Sequence, residues 1–465
     1  MSLNFCRTTH SSTSGLWHLR CQTALLAAVL VASPLAAAEP PKGFARLFNE
    51  KDLGGWHGWA IHDKGASPAD LAKLSPEDRA KQVGEWTADA LKHWSVQSGE
   101  LVNDGKGAYL ATDKDYGDVE LLVEYRTVAG ADSGVYLRGT PQVQIWDATQ
   151  AFDPKNPTRK PHLGSGGLFN NSPDAPGRDP LVVADKPFGE WNALRIIQVG
   201  ERTTVYLNDK LVVDAARMEN YWDRKLPLPR TGKILLQTHG GEIRWRNLFV
   251  REIPPTEANE FLMKRAAAGF ESVFNGTDFT GWEGALDNYE VVDGAIVCKP
   301  RKGGNVVTKA EYADHAIRLE YKLPAGGNNG LAIRTPSAAA HAATQAMCEM
   351  QILDDTAAKY AKLDPRQFNC SAYGAVEAHR GYLRPVGEWN FLEVTVKGST
   401  LVAELNGTRV LDCDLATVTE FKDNQKHPGK DNTKGRFGFV GHREPVAFRN
   451  ISIKPLHAPG GTKQR

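Results

Sequence analysis

Two β-sandwiches in tandem are what this sequence predicts, and three observations predict them. Long phrases recur in the same order: LFNEKDLGGW from Leu47 returns as VFNGTDFTGW from Val273, GEWNALRI from Gly189 as GEWNFLEV from Gly387, and HGGEIRWRNLFVREI from His239 as HREPVAFRNISIKPL from His442. The period far exceeds the roughly 20–50 residues of solenoid repeats, so it marks a duplicated domain. Several segments alternate apolar and polar residues with a period of two, the pattern of half-buried antiparallel strands. Strand-like runs do not alternate strongly with helical ones, so a β-sandwich with long loops outranks a parallel α/β fold.

Taken in order, the chain opens with Arg20 ahead of the apolar run TALLAAVLVASPLAAA, which ends in small residues before Glu39. A positive flank, a short apolar stretch and a small-residue cleavage site predict a secretory signal over residues 1–38, and hence a periplasmic or secreted protein. The run is short for the roughly 20 residues of a membrane span, and Pro34 interrupts it, so no stable insertion is expected after cleavage. The first copy covers 39–253. Trp56 to Trp282 is 226 residues and Trp191 to Trp389 is 198, so the first copy carries about 28 extra residues between these landmarks. SPADLAKLSPEDRAKQVGEWTADALKH, from Ser67, fills the gap. Its Ser-Pro starts followed by acidic residues predict one or two short helices over a face or edge.

In the first copy Val119, Leu121, Val123 and Tyr125 share one strand face, with Glu120, Glu124 and Arg126 on the other. Ile317, Leu319, Tyr321 and Leu323 oppose Arg318, Glu320 and Lys322 in the second copy. Asn406-Gly407 and its counterpart Asn208-Asp209 predict two-residue hairpins, the former of type I′. PPTEANEFLMKRAAA, residues 254–268, reads as a short helical linker, followed by the second copy at 269–456 and a tail at 457–465.

Lys+Arg of 56 against Asp+Glu of 55 leaves no basic field for nucleic acid. Loss of the signal removes Cys6 and Cys21, leaving Cys298, Cys348, Cys370 and Cys413, all in the second copy. These make either two disulfides or four buried thiols; without CxxC spacing they do not suggest structural zinc. Walker, Rossmann, HExxH, GxSxG and EF-hand patterns are absent, which counts against nucleotide enzymes, zincins and serine hydrolases. Dispersed Asp, Glu and His leave room for a divalent ion.

Chemistry is best placed on CEMQILDD, Cys348–Asp355. On a strand, Glu349 and Gln351 share the face opposite Cys348, Met350 and Ile352. A carboxylate and an amide on one line suit sugar hydroxyls and proton transfer, with Asp354 as a further candidate. The equivalent PQVQIWD carries Gln142, Gln144 and Asp147, and an amide is no carboxylate base. Arg138 and Arg334 precede these strands, each fit either for a ligand oxygen or for an ion pair. His239 and His442 hold matching places near the ends of the copies and suit proton transfer or metal binding. MENYWDR, with Trp222, is either a sugar-stacking subsite or a loop anchor. YGAVEAHRGYLRPVGEWN adds Tyr373, Glu377, His379 and Arg380.

In order, the phrases resemble GFxxLFNGxDLxGW, NSGxxxR, ExQIxD, GEWN, LNG and a closing HGxxxxFRNI of the 3-keto-disaccharide hydrolase domain family, once per copy and over nearly all the chain after residue 38. Cys370 and Glu377 depart from that pattern, where Gly and Pro are more typical. The resemblance implies two concanavalin A-like jelly rolls, an all-β fold, and action on oxidised glycosides. A ketone at sugar C3 acidifies the C2 hydrogen, so a base can remove it and the C1 substituent can leave. The residues expected to serve are Glu349 or His442 as base in the second copy, with Gln351 and Arg334 orienting the sugar. In the first copy they are His239 as base, with Gln144, Arg138 and Trp222 lining the site. A divalent ion or an arginine would steady the enolate. The competing expectation is a non-catalytic, bivalent glycan-binding protein, which the same fold supports.

Overall fold

The computed structural model describes residues 38–456; the expected signal, apart from Ala38, and the C-terminal tail lie outside them. Two all-antiparallel sandwiches follow one another, each an eight-stranded sheet facing a five-stranded one. In the first, strand Val119–Thr127 lies mid-sheet between Asn192–Val199 and Ile243–Glu252. In the second, His315–Lys322 lies between Trp389–Lys397 and Ala447–Pro455. The five-stranded sheets run Trp56–Trp59, Tyr109–Thr112, Leu235–Leu236, Asp132–Leu137, Thr140–Trp146, and Trp282–Gly284, Gly303–Thr308, Arg436–His442, Asn328–Thr335, Cys348–Leu353. Val119, Leu121, Val123 and Tyr125 are buried between the sheets, as are Ile317, Leu319, Tyr321 and Leu323.

The repeated phrases are structural fastenings. Asn49 Oδ1 accepts from the amides of Lys51 and Asp52, and Asn275 Oδ1 from those of Thr277 and Asp278. The tryptophan closing each phrase, Trp56 or Trp282, donates from Nε1 to the Leu47 or Val273 carbonyl at 2.8 and 2.9 Å. Within GEWN, Asn192 and Asn390 each accept from the hairpin asparagine, Asn208 or Asn406. Both hairpin turns have positive φ at both central residues, 50° and 63° for Asn208-Asp209 and 51° and 81° for Asn406-Gly407, as type I′ requires. In the RN phrase, Asn247 and Asn450 sit at φ 51° and 52° where the ladders slip register. The preceding Arg246 and Arg449 reach Glu124 and Glu320 and lie 4.1 Å from the Trp191 and Trp389 rings.

The inserted segment forms a short helix, Pro68–Leu71, and a long one, Pro76–His93. Ser67 and Ser75 cap them by accepting from the Asp70 and Asp78 amides, with proline in the first turn. The long helix buries Trp86 and Ala90 and lies on the edge strand Trp56–Trp59, where a Cβ on Gly58 would collide with the Trp86 carbonyl. Among the described residues, no helix is long and apolar enough to cross a membrane. Cys298, Cys348, Cys370 and Cys413 are free thiols, so the disulfide alternative does not hold.

The linker is the helix Pro255–Lys264, and it covers the outer face of the second eight-stranded sheet. Ala258 and Leu262 pack with Val199, Ile253 and Phe391. Arg318 and Glu320, expected on a solvated face, are instead buried. Glu320 accepts from Asn259, Arg449 and Asn450; Arg318 donates to Glu393 and to the Met263 carbonyl. Glu404 receives Arg202 of the first sandwich, Nε at 3.0 Å, and Arg265 of the linker at 3.3 Å. Burial opposes ionisation of Glu404, but Arg202 and Arg265 hold its carboxyl below the usual carboxylate range.

Removing one member of such a buried pair strands the other, at about 3–5 kcal/mol. Glu404→Ala is therefore expected to lower stability by that order in urea unfolding at pH 7. The native pKa is depressed, so the wild-type contribution is present above the unfolded value and is lost as pH falls through the native one. The deficit of the variant should shrink on acidification; a pH-independent deficit, or one under about 1 kcal/mol, would contradict this assignment.

Candidate active site

On Cys348–Leu353 the alternation works as a strand dictates: Cys348, Met350 and Ile352 enter the core, and Glu349 and Gln351 point to the outer face of the five-stranded sheet. Loops bury that face too, leaving Glu349 and Gln351 only 6% and 4% exposed. Glu349 lies across Gly330 of the neighbouring strand, where any Cβ would collide with the carboxylate. His442, at the end of Arg436–His442, brings Nε2 to 3.8 Å from Glu349 Oε1. Pairing with Glu349 raises its imidazole above the ordinary value of 6.5, against burial.

The segment after residue 369 runs beside the strand: Cys370 N donates to Gln351 O and Tyr373 N to Glu349 O. Cys370 holds φ 63°, and the equivalent Gly166 holds 98°; a left-handed backbone explains why glycine is the usual residue there. Tyr373, whose hydroxyl accepts from Gln367 at 2.7 Å, completes a cleft of about 290 Å³ shared with Glu349, Gln351 and His442. His341, His427 and Lys422 line it as well. Burial and the neighbouring His341 push the His427 imidazole down.

The first sandwich builds its outer face differently. Gln142 and Gln144 are buried and hydrogen-bonded to each other, and Gln144 donates to Asp132 at 2.8 Å. The register makes Asp132 the counterpart of Asn328, and Gln142 that of Glu349. The carboxylate has thus moved to the adjacent strand, and His239, the counterpart of His442, finds it there: Nδ1 lies 3.3 Å from Asp132 Oδ2. That pairing raises the His239 imidazole, which suits it to proton donation more than to the base role expected for it. Arg159 also reaches Asp132, at 3.2 Å. Trp222 donates from Nε1 to the Gly139 carbonyl, and its ring lies 5.4 Å from that of His62.

Four expected sugar ligands are fastenings instead. Arg138 and Arg334 are 3% and 1% exposed, at φ 53° and 50°. Each clamps an aspartate, Asp118 at 2.8 Å and Asp314 at 2.7 Å, together with backbone carbonyls. Asp147 and Asp354 each cap a loop, accepting from Gly130 and Thr149 or from Gly326 and Thr356; the amides that hold them leave no carboxylate aimed at the cleft. Arg380 lies 3.5 Å from the Phe368 ring and 3.8 Å from Asp355, outside the cleft lining. Among the described residues no three His, Cys, Asp or Glu side chains converge as metal ligands, so the residues present do not fit a three-ligand ion site.

A family model, the 3-keto-alpha-glucoside-1,2-lyase-like domain, matches residues 43–251 and again 269–454. The chain belongs to this family, in two copies. It is 23% identical over 248 residues to the 3-keto-disaccharide hydrolase of Bacteroides thetaiotaomicron, a match covering 45% of this chain and 86% of the relative. Among solved structures it is similar to a provisionally named glycosyl hydrolase from Parabacteroides distasonis, at 26% identity and TM-score 0.36, over 41% of this chain and 96% of the other. It is also similar to the carbohydrate-binding module CBM66 from Bacillus subtilis, at 15% identity and TM-score 0.26, over 38% and 98%. Membership supports a carbohydrate-active function.

Asp132, His62, Tyr136, His341 and His427 were missed from sequence. Asp132 had a signal, standing at the head of DSGVYLR where the second copy has Asn328 in NNGLAIR. Tyr136 stands in the same phrase, opposite Ala332; His62, His341 and His427 sit on loops with no counterpart phrase.

If Glu349 is what raises His442, then Glu349→Gln should bring the His442 pKa, followed by NMR titration, down toward the ordinary imidazole value. Gly330→Ala, which displaces the carboxylate, should do the same with the fold intact by circular dichroism. A His442 titration unmoved in both would refute the pairing.

Proposed function

We propose that this protein cleaves 3-keto-glycosides by elimination across C1–C2, with water adding afterwards to complete a net hydrolysis. The observation that carries the reading is an acid–base pair over one cleft: Glu349 beside a His442 whose imidazole is held toward its protonated form. A carboxylate to take a proton and an imidazole raised toward its protonated form to give one are what a proton abstraction followed by leaving-group protonation requires. Among the described residues lining that cleft, Glu349 is the one carboxylate. Ordinary glycosidases need two, one on each side of the scissile bond. An eliminative route needs only one.

In this reading Glu349 takes the C2 proton, made acidic by the C3 ketone. The electron pair forms the C2–C3 enolate, then the C1=C2 bond as the C1–O bond breaks, and His442 protonates the departing oxygen. Tyr373 accepts from Gln367, so its own hydroxyl proton is left to give to the C3 oxygen as charge gathers there. Gln351, donating to Asn328 at 3.1 Å, supports the sugar. Export, expected from the N-terminal pattern of residues 1–38, would place this chemistry on glycosides outside the cytoplasm.

The full chain should release the aglycone from 3-keto-glucosides and leave the unoxidised glycosides intact. In D2O, recovered substrate should carry deuterium at C2 if proton return competes with departure. Glu349→Gln should remove this site's share of the turnover, where a general base contributes about 10²–10⁴-fold. Tight binding of keto-sugars with neither release nor C2 exchange would favour the glycan-binding alternative.

A further inference from the structure

Resting on that reaction, we infer that the first sandwich holds a second, independent active site, in which His62 is the base at C2 and His239 the acid at the leaving oxygen. His62 lies in the stretch between Trp56 and Trp94, which the second copy shortens to Trp282–Tyr289. The loop that carries it is pinned. Ile61 and Ala66 are buried, Trp59 donates from Nε1 to the Ala66 carbonyl at 2.9 Å, and Asp63 N closes on Ala60 O.

Over the sheet, the imidazole meets rings from three places. Tyr109 and Tyr136 of the five-stranded sheet stand edge-on with centroids at 5.9 Å, and Trp222 tilts against it at 5.4 Å. His62 Nε2 is 2.7 Å from the Tyr136 hydroxyl. The Tyr136 ring meets the Tyr109 ring edge-on at 5.6 Å, and the Tyr109 hydroxyl accepts from Gln237 at 3.2 Å. With Nε2 engaged by the Tyr136 hydroxyl, Nδ1 is the nitrogen left for substrate, and it is the base in the tautomer that carries its proton on Nε2.

Asp132 is not suited to be the base. Its Oδ1 is taken by Gln144 and its Oδ2 by Arg159 and His239. The charged groups acting on His62 are His239 and Asp63. Burial and His239 together push the His62 imidazole down, while Asp132 raises His239. The two imidazoles are thereby shifted in opposite directions, His62 toward its neutral form and His239 toward its protonated one. The chemistry balances as before: His62 gains the C2 proton, the C1–O bond breaks as C1=C2 forms, and His239 gives its proton to the aglycone oxygen. No residue of this site contacts the second sandwich among the described hydrogen bonds and ion pairs, so its turnover does not depend on the Glu349 cleft.

The test uses the full chain carrying Glu349→Gln, assayed for aglycone release from 3-keto-glucosides. Residual turnover is expected, with a bell-shaped pH profile whose acid limb lies below, and alkaline limb above, the ordinary imidazole value of 6.5. Adding His62→Asn should cut this residue of activity by about 10²–10⁴-fold. Adding Tyr136→Phe instead should lower kcat, shift the acid limb and leave KM nearly unchanged. This second variant decides the matter if His62→Asn fails to fold by near-ultraviolet circular dichroism. A wild type that turns over while Glu349→Gln is dead overturns this inference alone, as does a Glu349→Gln rate untouched by both additions. A wild type inert on every 3-keto-glucoside overturns the reaction itself and this site with it.

Discussion

Everything about how the two sandwiches divide their surfaces depends on the buried ionic seam at Glu320, Glu393 and Glu404. Three carboxylates on the outer face of the second eight-stranded sheet are matched by Arg318, Arg449, Arg265 and Arg202. These cations come from both sandwiches and from the end of the linker helix. Such a seam is a poor source of net stability compared with apolar packing, because desolvation offsets most of the attraction. Its effect is on specificity. A shifted register would leave charges buried without partners. One face of the second sandwich is therefore committed to the first, and the opposite, five-stranded face is left for chemistry.

On that opposite face the two copies solve one problem with the carboxylate on different strands. A histidine at the end of a sheet strand, His442, or just beyond one, His239, has a carboxylate partner that raises its imidazole. In the second copy Glu349 supplies it from one strand while Asn328 stands on the next; in the first, Asp132 supplies it and Gln142 stands where the glutamate was. The exchange is not neutral. Glu349 pairs with a single imidazole, whereas Asp132 must also hold Arg159 and Gln144. A carboxylate bound on three sides is a good anchor and a poor base, so the first site has to find its base elsewhere.

The scaffold was legible because its rules are local. Period-two alternation buried Val119 to Tyr125 and Ile317 to Leu323, the hairpin asparagines took the positive φ their turns demand, and Ser-Pro starts capped two helices. The outer-face expectation failed at Arg318 and Glu320, because strand periodicity separates two faces but does not say whether another helix will cover the second. Arg138 and Arg334 misled for a related reason. An arginine after an apolar strand looks available to a ligand, yet a left-handed backbone turns it under the sheet to an aspartate some twenty residues earlier in the chain. Glu349, Gln351 and His442 were placed in advance because strand alternation or a repeated phrase fixed their position. His62, His341 and His427 were not, since no local rule places a loop over a sheet.

That division explains what duplication allows. Residues holding the frame are those whose partners lie within the same copy and which recur in both: the Asn of GEWN with the hairpin Asn, the Arg of RN with its strand glutamate. Changing one requires changing its partner. Residues over the outer faces meet loops of unequal length, the inserted helices in one copy and the segment around His427 in the other. They have no such reciprocal obligation. The two faces share no wall among the described residues, so a change that retunes one leaves the packing and charge of the other as they were. Divergence therefore concentrates where the frame does not constrain it, and a chain that repeats its phrases closely comes to hold two differently built sites.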